Sequence, residues 1–145
     1  MHIDIRENPF DPWQELARYE RDALDQAGKY GATAVFVGSV RDFSEGAPVT
    51  AMTLEHYAAM TEKHLRDIAA QAMARWDILD VLIIHRVGDV RPNDSIVLVA
   101  VWSAHRAAAY EANRFVMEDL KSSAPFWKKE TLQDGSRWVK KNTPG

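Results

Sequence analysis

The chain contains no cysteine, which removes disulfides, thiolate metal sites, cysteine nucleophiles and any persulfide carried on the protein itself. Sulfur chemistry on this chain needs an outside donor. No apolar run approaches the roughly 18 residues that a membrane-spanning helix requires. The start, Met1-His2-Ile3-Asp4-Ile5, lacks the charged and then apolar order of a secretory leader. These absences predict a soluble, cytoplasmic protein. The five histidines show no paired ligand spacing such as HExxH. No metal site is therefore expected, and His2, His56, His64 and His85 read as structural or exposed. Neither the glycine-rich nucleotide loops nor the GxSxG elbow of serine hydrolases occurs. The formal net charge of -3 leaves no broad basic face of the kind nucleic-acid binders carry.

What is present fits one globular domain: 145 residues, 46% hydrophobic and 27% charged, enough to bury a core. His2 to Glu7 alternates as a half-buried strand. Asp11 and Pro12 cap and open a helix whose apolar side is Trp13, Leu16, Ala17 and Leu24, ending near Gly28 or Gly31. Ala32 to Val40 is an interior strand, with Gly38 marking a bulge or a close approach. Arg41 to Pro48 reads as a loop and Thr50 to Tyr57 as a strand. Met60 to Trp76 is an amphipathic helix. Leu79 to Val87 and Ser95 to Trp102 are strands joined by a turn-rich link. Ser103 caps a helix from about Ala104 to Lys121, which Pro125 stops. A last strand lies around Arg137 to Lys140. The order predicts an α+β domain with a mixed, largely antiparallel sheet.

One stretch is poorly explained by packing. LKSSAPFWKKE, Leu120 to Glu130, sets Lys121, Lys128 and Lys129 around Pro125, Phe126 and Trp127 where a helix must end. We read it as the rim of a small-anion site. His105 and Arg106, in the first turn of a helix, oppose its dipole at a cost of about 0.3 to 1 kcal/mol each, which a bound phosphate would offset. The competing reading is a solvated helix end and a solvated basic face. Arg41, His105, Arg106, Lys121 and Lys128 all fall at element ends. If they converge, crowding lowers one lysine's pKa and makes it useful as an acid, base or nucleophile. Two uses stay open from the residues: a phosphate-site enzyme, and a non-catalytic module that holds RNA or an acidic protein with its FWKK segment.

VFVGSVRD (Val35 to Asp42), LEHY with MTEK (Leu54 to Lys63), IIHRVGDV (Ile83 to Val90), SAHR (Ser103 to Arg106), LKSSAPFWKKE and GSRWV (Gly135 to Val139) together resemble the large, catalytic subunit of molybdopterin synthase. The resemblance runs in order from about Ala32 to Val139. It implies an α/β hammerhead-like fold with an added small antiparallel subdomain. It also implies a sulfurtransferase that converts cyclic pyranopterin monophosphate into molybdopterin without a cofactor of its own. The sulfur comes from the C-terminal Gly-Gly thiocarboxylate of a small ubiquitin-like subunit, and the catalytic subunit forms a homodimer within a heterotetramer. By motif position, Arg41, His105 and Arg106 bind the substrate's phosphate and pterin, with Ser39 and Val40 lining the same pocket. Lys121 sits beside the partner's terminal glycine. Lys128 is the principal catalytic lysine, with Lys129 and Glu130 near it. Family members often carry a basic residue where this chain has Ser39, and a longer basic tail that reaches a neighbouring subunit's site; the resemblance leaves open whether Lys140 or Lys141 substitutes for it.

Overall fold

The computed structural model describes the backbone of residues 1–44, 47–132 and 135–138, and side chains over 1–42, 50–126 and 135–138. The centre is a four-stranded sheet in the order β1 (His2–Arg6), β5 (Asp80–Arg86), β7 (Ser95–Ser103), β2 (Ala32–Ser39). β1 runs parallel to β5; the other pairs are antiparallel. Every residue of β5 is buried, and β7 is buried from Ile96 onward, because helices cover both faces. Such strands carry continuous apolar runs in place of alternation.

Facing β5 and β7 on one side are α2 (Ala58–Arg75) and α3 (Arg106–Ser122), which contribute Leu65, Ile68, Ala69, Ala72, Ala112, Val116 and Leu120 to a core around Val81, Ile83, Val97, Val99 and Val101. At about 1.5 to 3 kcal/mol for each large aliphatic side chain removed from water, this layer dominates the stability. The two helices run antiparallel: His64 meets Asp119 at one end, and Trp76 Nε1 donates to Glu111 at the other. Asn113 ties α3 to the sheet, its Nδ2 donating to the carbonyls of Ala34 and Val99, both at 3.0 Å.

The opposite face is covered by α1 (Pro12–Asp22). Asp11 caps it as expected, accepting from the N–H of Trp13 at 3.0 Å. The helix ends at Asp22, however, and Leu24 reaches the core from the turn that follows. Its inner side is Leu16 and Tyr19, which pack against Trp102. Trp13, expected there, is 61% exposed. A bidentate Arg6–Glu15 pair joins α1 to β1, and the guanidinium holds the Glu15 carboxyl below the usual range.

A second, antiparallel sheet is built on β4 (Ala47–His56). One edge pairs with β8 (Phe126–Leu132), which pairs in turn with β9 (Gly135–Trp138). Its other edge pairs with β3 (Phe43–Ser44) and β6 (Gly88–Val90). Three of these elements differ from the sequence reading. The Arg41–Pro48 segment contains a strand, the link between β5 and β7 donates β6 to the second sheet, and Phe126 opens a strand that continues through Lys128, Lys129 and Glu130. The fold is α+β: a mixed sheet with three helices, and an added antiparallel subdomain. Among the described residues no helix is long and apolar enough to cross a membrane.

Candidate functional site

Lys121 lies in the last turn of α3, where a cation faces the negative end of the helix dipole, and is half-buried. The helix closes through Asp119, whose carbonyl accepts the N–H of Ser123 at 2.8 Å and of Ala124 at 3.3 Å. Pro125 prevents continuation. Its carbonyl accepts the hydroxyl of Thr61 at 3.4 Å. Phe126 then stacks on His85, with 3.9 Å between ring centroids and 15° between planes. That stack anchors the turn. β8 continues with Trp127 opposite Glu55, Lys128 opposite Leu54 and Lys129 opposite Thr53. On its other edge Lys129 faces Trp138 and Glu130 faces Arg137. The side chains of Trp127, Lys128, Lys129 and Glu130 lie outside the described residues, as do Lys140 and Lys141 entirely.

Arg41 stands just past β2, exposed, at the end of the sheet toward which α3 runs. The β2–β7 register shifts between Gly38 and Ser39. That irregularity is the bulge alternative expected at Gly38, and a side chain there would meet the Val97 side chain, Cγ1, at 2.7 Å. Ser39 is exposed. Val40 is 5% exposed and packs in the core. Its N–H donates to the Asp94 carbonyl at 2.9 Å, and its carbonyl accepts from the Asn93 N–H at 2.7 Å. Val40 thus serves to fix the chain on which Arg41 emerges.

His105 and Arg106 occupy the other end. Ser103 is the last residue of β7 and not the helix cap: its hydroxyl donates to the Asp77 carbonyl at 3.1 Å and accepts from the His105 N–H at 3.3 Å. The N-cap is His105, which makes no capping bond through its side chain, so α3 begins with free N–H groups beside two exposed cationic or titratable side chains. Gly31 packs tightly here, donating to the Ser103 carbonyl at 3.0 Å.

These two groups do not converge within one chain. Ala32 pairs with Ser103, whereas Ser39 pairs with Ser95, so Arg41 and the start of α3 lie at opposite ends of β2. At about 3.3 Å per residue the nine steps from Ala32 to Arg41 span roughly 30 Å. α3 itself runs back along β7, which brings Lys121 toward the Arg41 end and leaves His105 and Arg106 behind. Element ends identify such residues from sequence, but only the direction of α3 tells which end each occupies. Two surface clefts, one around Phe10, Trp13 and Arg86 and one around Glu55, His56, Tyr57 and Trp138, include none of Arg41, His105, Arg106 or Lys121. Among the described residues no cluster of histidine and carboxylate side chains has the form of a metal site.

Residues 5–123 match the family model described as MoaE protein. A molybdopterin synthase catalytic subunit of Pasteurella multocida is 52% identical over 139 residues, spanning 96% of this chain and 89% of that protein. The chain belongs to the MoaE family. Solved MoaE-type structures share its fold. The molybdopterin synthase of Staphylococcus aureus superposes with a TM-score of 0.82 at 34% identity, covering 94% of this chain and 95% of that one. A complex of subunits 1 and 2 of the molybdopterin-converting factor of Helicobacter pylori gives 0.79 at 25% identity, covering 95% and 90%. Membership makes this MoaE chain a component of an enzyme of molybdenum cofactor biosynthesis. The family match stops at residue 123, short of Phe126 to Glu130. What the sequence reading did not reveal is that β8 begins at Phe126 and that His85 stacks beneath it. The adjacent aromatic residues Phe126 and Trp127 were the available signal for the strand.

Proposed function

We propose that this MoaE chain is the sulfurtransferase half of molybdopterin synthase. It moves sulfur from the C-terminal thiocarboxylate of a small ubiquitin-like subunit onto the side-chain carbons beside the pterin of cyclic pyranopterin monophosphate. The observation that carries this reading is the single ordered turn from Lys121 to β8, which sets the two candidate lysines on either side of Pro125 and Phe126. Lys121 faces the incoming glycine. Lys128 handles protons as the thiocarboxylate attacks and the cyclic phosphate opens, while cationic groups stabilise the developing charge. Lys129 and Glu130 flank it. A chain without cysteine depends on the partner for its sulfur, in keeping with this division of labour. We place the reaction in the cytoplasm.

The phosphate and pterin are held by Arg41 with Ser39 nearby, and by His105 and Arg106 of a second copy. Support comes from the shape of the sheet. β2 is an edge strand, and Val35 and Phe36 on it are 36% and 39% exposed. Two-fold antiparallel pairing of β2 with its counterpart covers them and sets the Ala32 end of one copy beside the Arg41 end of the other. Two such shared sites per homodimer, each with one small subunit, give a heterotetramer.

Purified chain mixed with the thiocarboxylated small subunit and precursor is expected to form molybdopterin. Lys128→Ala should lower single-turnover sulfur transfer by about a hundredfold or more while partner docking survives. Full turnover in Lys128→Ala removes that lysine from the chemistry. Steeply salt-dependent RNA binding with an untouched pterin would support the binding-module reading instead.

A further inference from the structure

Two histidines hold the segment that joins the candidate lysines, and the chemistry above uses neither. His85 is 9% exposed in β5. Its Nδ1 lies 2.7 Å from the Arg86 carbonyl oxygen. A carbonyl can only accept, so Nδ1 carries the proton and the ring plane is fixed. That plane lies against Phe126, nearly parallel and 3.9 Å away. Phe126 is the first residue of β8, two positions before Lys128. His64, on α2, meets the Asp119 carboxylate at 2.6 Å, and Asp119 lies two positions before Lys121 while its carbonyl closes the helix. The stretch from Asp119 to Phe126 is therefore gripped at both ends, from α2 and from β5.

Filling space does not require this arrangement. The neighbouring positions Ile83 and Ile84 fill theirs with aliphatic side chains, which tolerate sliding and rotation. Two flat rings in near-parallel contact admit one separation, and the hydrogen bond from Nδ1 removes the remaining rotation of the imidazole. Lys128 follows Phe126 along the same strand, paired to Leu54, so the depth at which Phe126 seats determines where the backbone of Lys128 stands relative to the end of α3.

We propose that His85, acting through Phe126, and His64, acting through Asp119, are positioning residues that set the separation of Lys121 and Lys128. The inference rests on the assignment of those two lysines to the sulfur-transfer site. A displacement near 1 Å costs up to about a hundredfold in rate.

The test uses paired substitutions in the full chain with its small subunit. His85→Leu keeps volume and removes the ring; His85→Phe restores the ring. His64→Leu breaks the bond to Asp119; His64→Gln can remake it. Both leucine variants should stay folded by thermal melt, bind the small subunit as tightly as the unmodified chain, and slow single-turnover transfer roughly tenfold or more without a matching rise in KM. His85→Phe and His64→Gln should recover most of the rate. In parallel, the ε-methyl resonances of ¹³C-dimethylated Lys121 and Lys128 report position without any need for activity, and should move in the leucine variants and return in the rescuing ones. If His85→Leu fails to fold, Phe126→Leu breaks the same stack. Unmoved resonances, an unchanged rate in a folded leucine variant, or a His85→Phe as slow as His85→Leu would overturn the proposal. Moved resonances in a protein that forms no molybdopterin even unmodified would uphold the positioning and fail the functional reading.

Discussion

If Arg41 of one copy works with His105 and Arg106 of another, then Arg41→Ala and His105→Ala chains, each inactive alone, restore activity when assembled together. The roughly 30 Å between the two ends of β2 is several times the reach of an arginine side chain, so no rotamer change brings Arg41 and His105 of one chain onto one phosphate. In a random mixture about half of the dimers contain one copy of each variant, and every mixed dimer has one site with both residues intact and one with neither. About a quarter of the unmodified activity should return. Refolding the two chains together, or expressing them together, followed by a molybdopterin-formation assay with saturating small subunit, measures it. A second mixture sharpens the answer. The double variant mixed equally with the unmodified chain leaves about a quarter of the activity if sites are shared, because mixed dimers hold no intact site, and about half if each chain is self-sufficient. Activity in the first mixture no greater than the mean of the separate variants, together with half in the second, refutes the shared site.

Gly31→Ala puts a methyl group 2.6 Å from the Ala104 carbonyl oxygen, a contact that backbone must yield to relieve. We expect a loss of about 1 to 3 kcal/mol in a denaturant melt and a fall in kcat/KM through the displaced start of α3; unaltered melting would show that this end is looser than described. Glu15→Gln tests the bond between α1 and β1. The Glu15 carboxyl is held below its ordinary range by Arg6, so the charged pair stabilises the fold above the unfolded-state pKa and the benefit disappears as pH falls through the lower folded value. The variant should be less stable by about 1 to 2 kcal/mol at pH 7, and the gap should narrow as pH falls below the ordinary carboxylate value of about 4.3. A stability gap that does not narrow at all in acid would mean that lost packing, and not the ion pair, is responsible.

The central layer was readable because burial on both faces leaves a plain mark: β5 and β7 are centred on apolar runs, Val81 to Ile84 and Ile96 to Trp102, and the periodicity of α2 and α3 names nearly every residue they bury. Local chemistry was equally readable where one residue type has one reason to be present, as with Asp11 and Pro12 at the start of α1. The second sheet was not. β6 is three residues long and β3 two, and such segments become strands because β4 offers them an edge, not through propensity of their own. β8 was concealed by its lysines, which read as the rim of an anion site and not as a strand. Trp13 shows the opposite failure: helical spacing put it with Leu16, but the contact of Tyr19 with Trp102 turns α1 so that Trp13 faces water. In the candidate site, residue types pointed to anion chemistry while their arrangement stayed hidden, since nothing local records that α3 runs back along β7 and carries Lys121 away from His105.

Helices α1 and α3, on opposite faces of the central sheet, begin differently. α1 is sealed by Asp11, whereas α3 opens on His105 with no side chain closing its first turn. An engineer hardening this chain against heat would place Asp or Ser at 105 and expect about 1 kcal/mol in return. That substitution would install a permanent tenant where the shared-site reading needs a vacancy. Screens that select for melting temperature alone are thus biased toward inactive proteins at this one position, and position 105 is best held constant in any stabilised library.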